Sequence, residues 1–205
     1  MPRLLLATGN AGKVREIRAI LGEAGWEIVT PAEAGVFVPP IAEGGRSYAD
    51  NAIAKAVSAV RASGLPALAD DSGIEVDALG GAPGVTSAHY GGPAMQSDAD
   101  RNALILRRLV GVPFARRGAH FRAVVALVLP GGRTFTREGL VEGHIAQAPR
   151  GDNGFGYDPI FLLPDGRTMA EVREEKLKIS HRALALAALH PVLDSLRLAH
   201  APSVG

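Results

Sequence analysis

The sequence contains no cysteine, which excludes disulfide bonds and metal sites built from thiolates. It also lacks an excess of charge, because 22 basic residues stand against 21 acidic ones and the net charge is +1. A protein that binds duplex nucleic acid needs a basic surface, which this balance does not supply. Long apolar runs are missing too. The longest, AVVALVLP at 123–130, is far shorter than the roughly 20 residues of a membrane-spanning helix.

Length and hydrophobic content predict a folded domain. The chain has 205 residues, 47% of them hydrophobic, which suffices for a sizeable core in one large domain or two small lobes. We expect one domain over residues 1–200 and a loose tail at 201–205. Thr8-Gly9-Asn10 interrupts the apolar start too early for a signal peptide, so we expect a soluble cytoplasmic protein.

Hydrophobic spacing predicts an α/β fold. Residues 3–8 have the pattern of a buried strand, KVREIRAILGEAG (13–25) that of a helix, and WEIVT (26–30) that of a second strand. A second amphipathic helix is predicted over 48–63, and PALAD (66–70) predicts a short strand that ends at two adjacent aspartates.

The second half of the chain also has the patterns of helices and strands. Ser97 and Asp100 have the spacing of a capping box before a helix, and residues 120–145 predict strands joined by a Gly-Gly turn. The last helix follows Ser180, and the leucines that mark its buried face are Leu186, Leu189, Leu193 and Leu196.

The loop TGNAGK between the first strand and the first helix is a candidate phosphate cradle. It consists of Thr8, Gly9, Asn10, Ala11, Gly12 and Lys13. Backbone N–H groups at a helix N-terminus favour an anion, the glycines allow close approach, and the lysine supplies a mobile positive charge. The spacing is not that of a P-loop. A turn with an N-cap and a solvated lysine explains the same residues without a ligand.

Asp70 and Asp71 stand side by side after an apolar run, where repulsion and desolvation disfavour two charges unless something positive lies nearby. Strands of α/β folds present ligand-binding groups at their carboxyl ends. Mg²⁺ takes one or two carboxylates together with phosphate oxygens, so a magnesium ion on a phosphate chain resolves the conflict. Glu43, in a Pro/Gly-rich loop, is a third candidate acid. Taken alone, DDSG also fits an Asx turn.

The glycine-flanked loop GFGYDP presents Phe155 and Tyr157, whose rings could stack on a base, and Asp158, which could accept a hydrogen bond from a purine. The alternative is that both rings fill the core from a loop.

His181 and Arg182 begin a predicted helix, where cations work against the helix dipole. This indicates either a ligand or an acidic partner, such as Glu174 or Asp158. Lys176 adds a charge that could reach a phosphate or a base.

Five segments occur in one order from residue 4 to residue 190: LLLATGNAGKVREI, DNAIAKA, LADDSGIEVDALGGAPGVTSAHY, FGYDPIF and EEKLKISHR. Together they resemble the inosine/xanthosine triphosphate pyrophosphatases, which hydrolyse non-standard purine nucleoside triphosphates to the monophosphate and pyrophosphate. Each segment is modest alone, but five in the right order are specific.

The resemblance implies an elongated α/β fold of two lobes, with a long central mixed sheet flanked by helices and a cleft between the lobes. It also implies a homodimer and dependence on Mg²⁺. Asp71 matches the catalytic acid, Glu43 and Asp71 the metal ligands, and Lys55 and the loop 8–13 the phosphate-binding residues. The residues implied to contact the remainder of the substrate are Asp70, Ser72, Phe155, Gly156, Tyr157, Asp158, Lys176, His181 and Arg182. Asp50 departs from the family, which often has glutamate there.

The implied activity is hydrolysis of dITP, ITP, XTP and dXTP, which removes these nucleotides from the pool. A pyrophosphatase for other modified nucleotides is one alternative. A nucleotide sensor without catalysis is another, although it would not need Asp71 together with Glu43. An α/β domain in which all five segments are ordinary turns would require five coincidences.

Overall fold

The computed structural model of the chain describes residues 1–22, 24–41 and 47–199. The predicted tail at 201–205 lies outside these ranges. The strands are β1 (Arg3–Leu6), β2 (Glu27–Val29), β3 (Ala67–Val76), β4 (Gly118–Val128), β5 (Thr134–Ile145) and β6 (Phe161–Leu162). The helices are α1 (Ala11–Leu21), α2 (Pro31–Ala34), α3 (Tyr48–Ser63), α4 (Asp98–Arg108), α5 (Lys176–Ile179) and α6 (His181–Ala199). Within the described ranges, no helix has both the length and the apolar character needed to cross a bilayer.

The strands form one six-stranded sheet in the order β2-β1-β3-β4-β5-β6. β1 runs parallel to β2 and to β3, and Leu5 is paired with Ala67 in the second of these ladders. β5 and β6 are antiparallel, with His144 opposite Leu162. The predicted α/β fold with a mixed sheet and helices is therefore confirmed, whereas the cleft and the elongated shape stay predictions.

Local signals place both ends of α3 and the start of α4 where the sequence predicts them. Ser47 caps α3 by accepting a hydrogen bond from the N–H of Asp50, and the helix ends at Gly64, whose φ of 68° suits a residue without a Cβ. The carboxylate of Asp50 in turn accepts a hydrogen bond from the Ser47 hydroxyl at 2.8 Å. Asp50 thus has a capping role at the helix N-terminus. The predicted capping box of Ser97 and Asp100 is present at α4.

The predicted end of β3 is wrong. The strand does not stop at Asp70 but continues through Ser72 and Gly73 to Val76, so the two aspartates lie in the middle of a strand and DDSG is not an Asx turn. Serine and glycine are typical of turns, but here they belong to a ladder whose partner strands lie far away in the sequence. Local composition cannot reveal such partners.

The chain divides into two compact units, each with a core of its own. Unit 1 comprises residues 1–71, 123–139 and 182–205, and unit 2 comprises residues 72–122 and 140–181, of which the structure describes the ranges given above.

The core of unit 1 follows the alternation of side chains along its strands. Leu4, Leu6 and Leu68 pack with buried residues of α1 and α6. The intervening residues pack instead on α3: Leu5 and Ala67 meet Ala59, while Ala69 meets Ala52 and Ala56. Successive residues of β1 and β3 therefore point alternately towards α1 and α6 and towards α3. The predicted buried face of α6 is confirmed, because the four leucines predicted to mark it all belong to the core.

Unit 2 has a separate core. Ile74 and Val76 of β3 pack with Ile105 of α4 and with two aromatic residues, Phe121 and Phe161. The rings of Phe121 and Phe161 lie 4.2 Å apart between centroids.

Helix α6 offers a matched test of core packing. Leu186 is completely buried, whereas Leu184 on the same helix is 40% exposed. We expect Leu186→Ala to lower the free energy of unfolding by about 2–5 kcal/mol, since a buried cavity is created, and Leu184→Ala to change it by less than about 0.5 kcal/mol. Urea unfolding followed by circular dichroism measures both. Equal effects would contradict the described orientation of α6.

Candidate active site

Asp70 and Asp71 face opposite sides of the sheet because they are successive residues of β3. Asp70 points to the side of α1 and α6, like Leu68, and Asp71 points to the side of α3, like Ala69. Both carboxylates are almost completely buried. The repulsion that two adjacent aspartates imply is reduced because each carboxylate has its own set of partners.

Asp70 belongs to a buried chain of four charges. Its Oδ2 lies 3.1 Å from the Nζ of Lys13 and accepts a hydrogen bond from the Nε of Arg182 at 3.0 Å. The Nη1 of Arg182 donates to the Oε2 of Glu16 at 2.5 Å. Arg182, only 1% exposed, is thus held between two carboxylates.

The charges in this chain fix one another. Burial by itself raises the pKa of Asp70, but the charges of Lys13 and Arg182 outweigh burial and hold that pKa well below its ordinary value. Burial lowers the pKa of the Lys13 ammonium. Burial also lowers the pKa of Arg182, yet the carboxylates of Asp70 and Glu16 more than compensate and raise it overall. Asp70 and Arg182 therefore stay charged at neutral pH.

The four buried charges explain why a cation, Arg182, is tolerated in the first turn of α6, where it works against the helix dipole. The predicted acidic partners, Glu174 and Asp158, are wrong for Arg182, whose observed partners are Glu16 and Asp70. The guanidinium thereby fixes α6 to α1 and β3.

Asp71 is held by two residues of α3. Its Oδ2 accepts a hydrogen bond from the Nδ2 of Asn51 at 2.9 Å, and its Oδ1 accepts one from the Nζ of Lys55 at 2.9 Å. Asn51 and Lys55 are four residues apart and so lie on one face of the helix. The two donors fix the plane of the carboxylate. A buried, oriented carboxylate beside a positive charge is suited to bind a cation or to accept a proton.

The oxygen atoms here fit Mg²⁺, which prefers carboxylate and phosphate oxygens. Each oxygen of Asp71 accepts one hydrogen bond in the interactions above, and an ionised carboxylate has about four acceptor positions. Among the described residues, Oδ1 of Asp70 is also buried without a hydrogen-bond partner, but Asp70 points to the other side of the sheet. Glu43, the other predicted ligand, lies outside the described residues. Within those residues, no three His, Cys, Asp or Glu side chains are grouped so that they could hold a metal.

The predicted phosphate loop begins α1. Asn10 is the N-cap, and its Oδ1 accepts hydrogen bonds from the backbone N–H groups of Gly12 at 2.8 Å and Lys13 at 3.1 Å. Thr8 accepts one from the N–H of Asn10 at 3.2 Å. A phosphate would therefore have to displace Asn10 to reach the N–H groups of Gly12 and Lys13.

The remainder of the loop is open. Gly9 and Ala11 are exposed, and a Cβ at Gly9 would meet no atom within 4 Å. The alternative of a simple turn is correct about the cap and wrong about a solvated lysine, because Lys13 is paired with Asp70. The loop thus combines exposed backbone with a cation held in a fixed place.

In unit 2 the predicted base loop surrounds a second buried ion pair. The Nζ of Lys176 lies 2.6 Å from the Oδ2 of Asp158, which also accepts a hydrogen bond from the N–H of Phe155 at 2.8 Å. The same Nζ lies 4.8 Å from the centroid of the half-buried Phe155 ring. One carboxylate therefore holds both the cation and the loop, and the cation lies over the face of the ring.

The other residues predicted for this part of the substrate differ in their surroundings. Tyr157 packs in the core of unit 2, its hydroxyl donates to the carbonyl of Ser87 at 2.7 Å, and burial raises the pKa of that hydroxyl. It fills the core, as the alternative proposed, whereas Phe155 does not. The ring of His181 stacks on Phe121 with 4.7 Å between centroids. Ser72 is half-buried within β3.

Two residues in these clusters are not among those that the sequence motifs predict. Asn51 lies one helical turn before Lys55, and Glu16 lies three residues after Lys13, so each shares a helix face with a predicted residue. Helix spacing could have indicated the shared faces, but not the partners that these side chains contact.

The comparisons with known proteins agree with one another. The Ham1 family profile matches residues 4–192. A dITP/XTP pyrophosphatase from Symbiobacterium thermophilum is 52% identical over 186 residues, which cover 90% of this chain and 91% of that protein. One from Thermus thermophilus is 49% identical over 91% of this chain and 89% of that protein. The solved HAM1 protein from Coxiella burnetii superposes with a TM-score of 0.84 at 40% identity, covering 95% of this chain and 100% of that one.

The buried chain of charges predicts an effect of Asp70→Asn on stability. The asparagine has the size of the aspartate but lacks its negative charge, so Lys13 and Arg182 lose a buried counter-charge. We therefore expect the free energy of unfolding to fall by about 3–5 kcal/mol at pH 7. Because the pKa of Asp70 is depressed in the folded state, its contribution is present above the unfolded value of about 3.9 and is lost as pH falls towards the folded value. The difference in free energy of unfolding between variant and wild type should therefore become smaller below about pH 4.

Urea unfolding at pH 7, 5 and 3 measures this difference. Asp165→Asn is the control, because Asp165 is paired with Arg167 at an exposed site and should contribute little. A difference that stayed constant from pH 7 to pH 3 would contradict the charged state assigned to Asp70.

Proposed function

The chain belongs to the Ham1 family, and from this we propose that it is a nucleoside triphosphate pyrophosphatase that hydrolyses dITP and XTP. The products are the nucleoside monophosphate and pyrophosphate. The relatives that are 46–52% identical over nine tenths or more of this chain, all named dITP/XTP pyrophosphatases, support the substrate class. The observation that carries the chemistry is the buried carboxylate of Asp71, oriented by Asn51 and Lys55.

In the proposed reaction, a water molecule attacks the α-phosphorus of the triphosphate. The bond between that phosphorus and the oxygen bridging to the β-phosphate breaks, and pyrophosphate leaves. Asp71 accepts the proton of the attacking water as general base. Asn51 and Lys55 hold the carboxylate in place, so that it does not have to reorient during the reaction.

The charge of the leaving pyrophosphate requires cations. Lys13 is proposed to contact it, together with Thr8, Asn10 and the exposed backbone of the loop. Because Asp70 holds the ammonium of Lys13 in place, this charge is positioned before the substrate binds. Preorganised charge of this kind is usually the largest contribution to phosphoryl transfer.

We propose Mg²⁺ as the cofactor, held by Asp71 and Glu43. When bound, the ion would offset the negative charge of the phosphate chain. The carboxylate oxygens of Asp71 support this assignment, since Mg²⁺ takes few protein ligands when phosphates supply the others.

The base is proposed to stack on Phe155, with Asp158, Lys176 and His181 as polar contacts. Hypoxanthine and xanthine have an acceptor oxygen at position 6, whereas adenine has a donor amine. Donors from Lys176, His181 or the loop backbone would pair with the oxygen and face the amine unpaired, which gives strong discrimination. Arg182 is proposed to act by holding α6, since its guanidinium contacts two carboxylates. Guanine shares the oxygen, so its rejection must depend on its 2-amino group.

We further propose that the protein forms a homodimer, as the resemblance of the five segments implies, and that it is cytoplasmic. Light scattering on the purified protein gives the oligomeric state directly.

Product analysis tests the activity. With Mg²⁺ we expect dITP and XTP to give monophosphate and pyrophosphate, and dATP and dGTP to give little of either. Ion-exchange chromatography of the products distinguishes the cases. Release of orthophosphate would place the attack at the terminal phosphate, and tight binding without turnover would favour a nucleotide sensor.

Asp71→Asn tests the general base. The amide keeps the size of the side chain but cannot take a proton, so kcat should fall by about 10²–10⁴-fold while nucleotide affinity changes little. Pyrophosphate release gives kcat, and calorimetry with dITP gives the affinity. Asp165→Asn, at an exposed ion pair, should behave like the wild type. Wild-type turnover in Asp71→Asn would refute the assignment.

A further inference from the structure

The backbone of Gly156, within the proposed base loop, is held by two side chains of helix α4. We infer that Asp98 and Asn102 are positioning residues that set how the loop presents Phe155 to the base. This inference rests on the proposed function and adds residues that none of the five matched segments contains.

Gly156 is held through both of its backbone polar groups. Its N–H donates to the Oδ2 of Asp98 at 2.7 Å, and its carbonyl accepts a hydrogen bond from the Nδ2 of Asn102 at 3.1 Å. The φ of Gly156 is 64°, a left-handed conformation that suits glycine. The two contacts therefore fix the peptide planes on both sides of a residue whose backbone is intrinsically free.

Asp98 is itself held in place. The Nη2 of Arg101 donates to its Oδ1 at 2.5 Å, and the Nη1 of Arg101 donates to the carbonyl of Met95 at 3.2 Å. One carboxylate oxygen thus faces Arg101 while the other faces Gly156. A charged acceptor makes a stronger hydrogen bond to an N–H than a neutral one does.

Asn102 is buried at a position where an apolar residue would carry a smaller desolvation cost. It lies on α4 one turn before Ile105, which packs in the core of unit 2, and it is 4% exposed. Its Oδ1 has no hydrogen-bond partner among the described residues, so the amide is only partly satisfied. The donor that it supplies to Gly156 is the interaction that accounts for an amide at this position.

The neighbours of Gly156 show what depends on it. On one side, the N–H of Phe155 is bound by Asp158, and on the other, Tyr157 is anchored through Ser87. Rotation of the peptide between Phe155 and Gly156 would change the direction of the Phe155 ring relative to Lys176, which lies 4.8 Å from its centroid. Asp98 binds the N–H of that same peptide.

The test compares two acids in the first turn of α4. Asp98→Ala removes the acceptor for Gly156, whereas Asp100→Ala removes the capping-box partner of Ser97 without touching the loop. Both variants weaken the helix N-terminus. We expect Asp98→Ala to raise KM for dITP about tenfold with kcat nearly unchanged, the effect of losing one charge-assisted hydrogen bond. Asp100→Ala should leave KM near the wild-type value.

Two more variants sharpen the comparison. Asp98→Asn keeps an acceptor oxygen, so its KM for dITP should lie closer to the wild-type value than that of Asp98→Ala. Asn102→Leu keeps the volume but removes the donor, and should raise KM as Asp98→Ala does. If Asn102→Leu fails to fold, the comparison at the exposed positions 98 and 100 still decides the question.

Hydrogen exchange of the Gly156 amide gives a measurement that needs no substrate. It should be at least about tenfold faster in Asp98→Ala than in wild type or Asp100→Ala, since the protecting acceptor is gone. Equal KM and equal exchange in Asp98→Ala and Asp100→Ala would overturn the inference. A wild-type protein that does not hydrolyse dITP would instead overturn the proposed function, whatever the exchange rates show.

Discussion

The structure of unit 1 depends on one constraint: two adjacent carboxylates on a buried strand must point in opposite directions. Asp70 and Asp71 therefore cannot share a counter-charge, and each requires its own. A buried charge without a partner costs several kcal/mol, so the helices on each side of the sheet must supply cations. Lys13 of α1 and Arg182 of α6 serve Asp70, and Lys55 of α3 serves Asp71.

This constraint separates two roles that the sequence joins in one motif. Asp70 is bound by full charges that keep it ionised, which suits a structural residue that holds Lys13 in place. Asp71 has one ammonium and one neutral amide as partners, and is thereby oriented with acceptor capacity left over. Asp70 thus fixes the cation Lys13 of α1, and the neighbouring residue Asp71 is itself the oriented proton acceptor. The proposed attack on a triphosphate uses both groups.

In unit 2, a glycine-rich loop is likewise held in place by side chains from other elements. Such a loop gains little order from its own backbone, so its conformation must come from outside. Tyr157 packs in the core of unit 2 and donates a hydrogen bond to Ser87. Asp158 binds both Lys176 and the N–H of Phe155, and side chains of α4 bind the backbone of Gly156. The loop is therefore fixed by contacts with several elements, although its composition alone predicts flexibility. Selectivity for a purine requires such order, because donors discriminate only when they cannot move to meet the wrong base.

Elements with local signals could be predicted from the amino-acid sequence. α3 follows from helical spacing between Ser47 and Gly64, and α4 from the capping box of Ser97 and Asp100, because these signals depend on neighbours within one or two turns. Most of the candidate residues were also named from the sequence, through motifs in a fixed order, whereas Asn51 and Glu16 were not. That β3 continues past its aspartates, and that Arg182 pairs with Glu16, 166 residues away, emerged only from the folded chain. Such partners depend on how distant elements pack, and no local pattern encodes that packing.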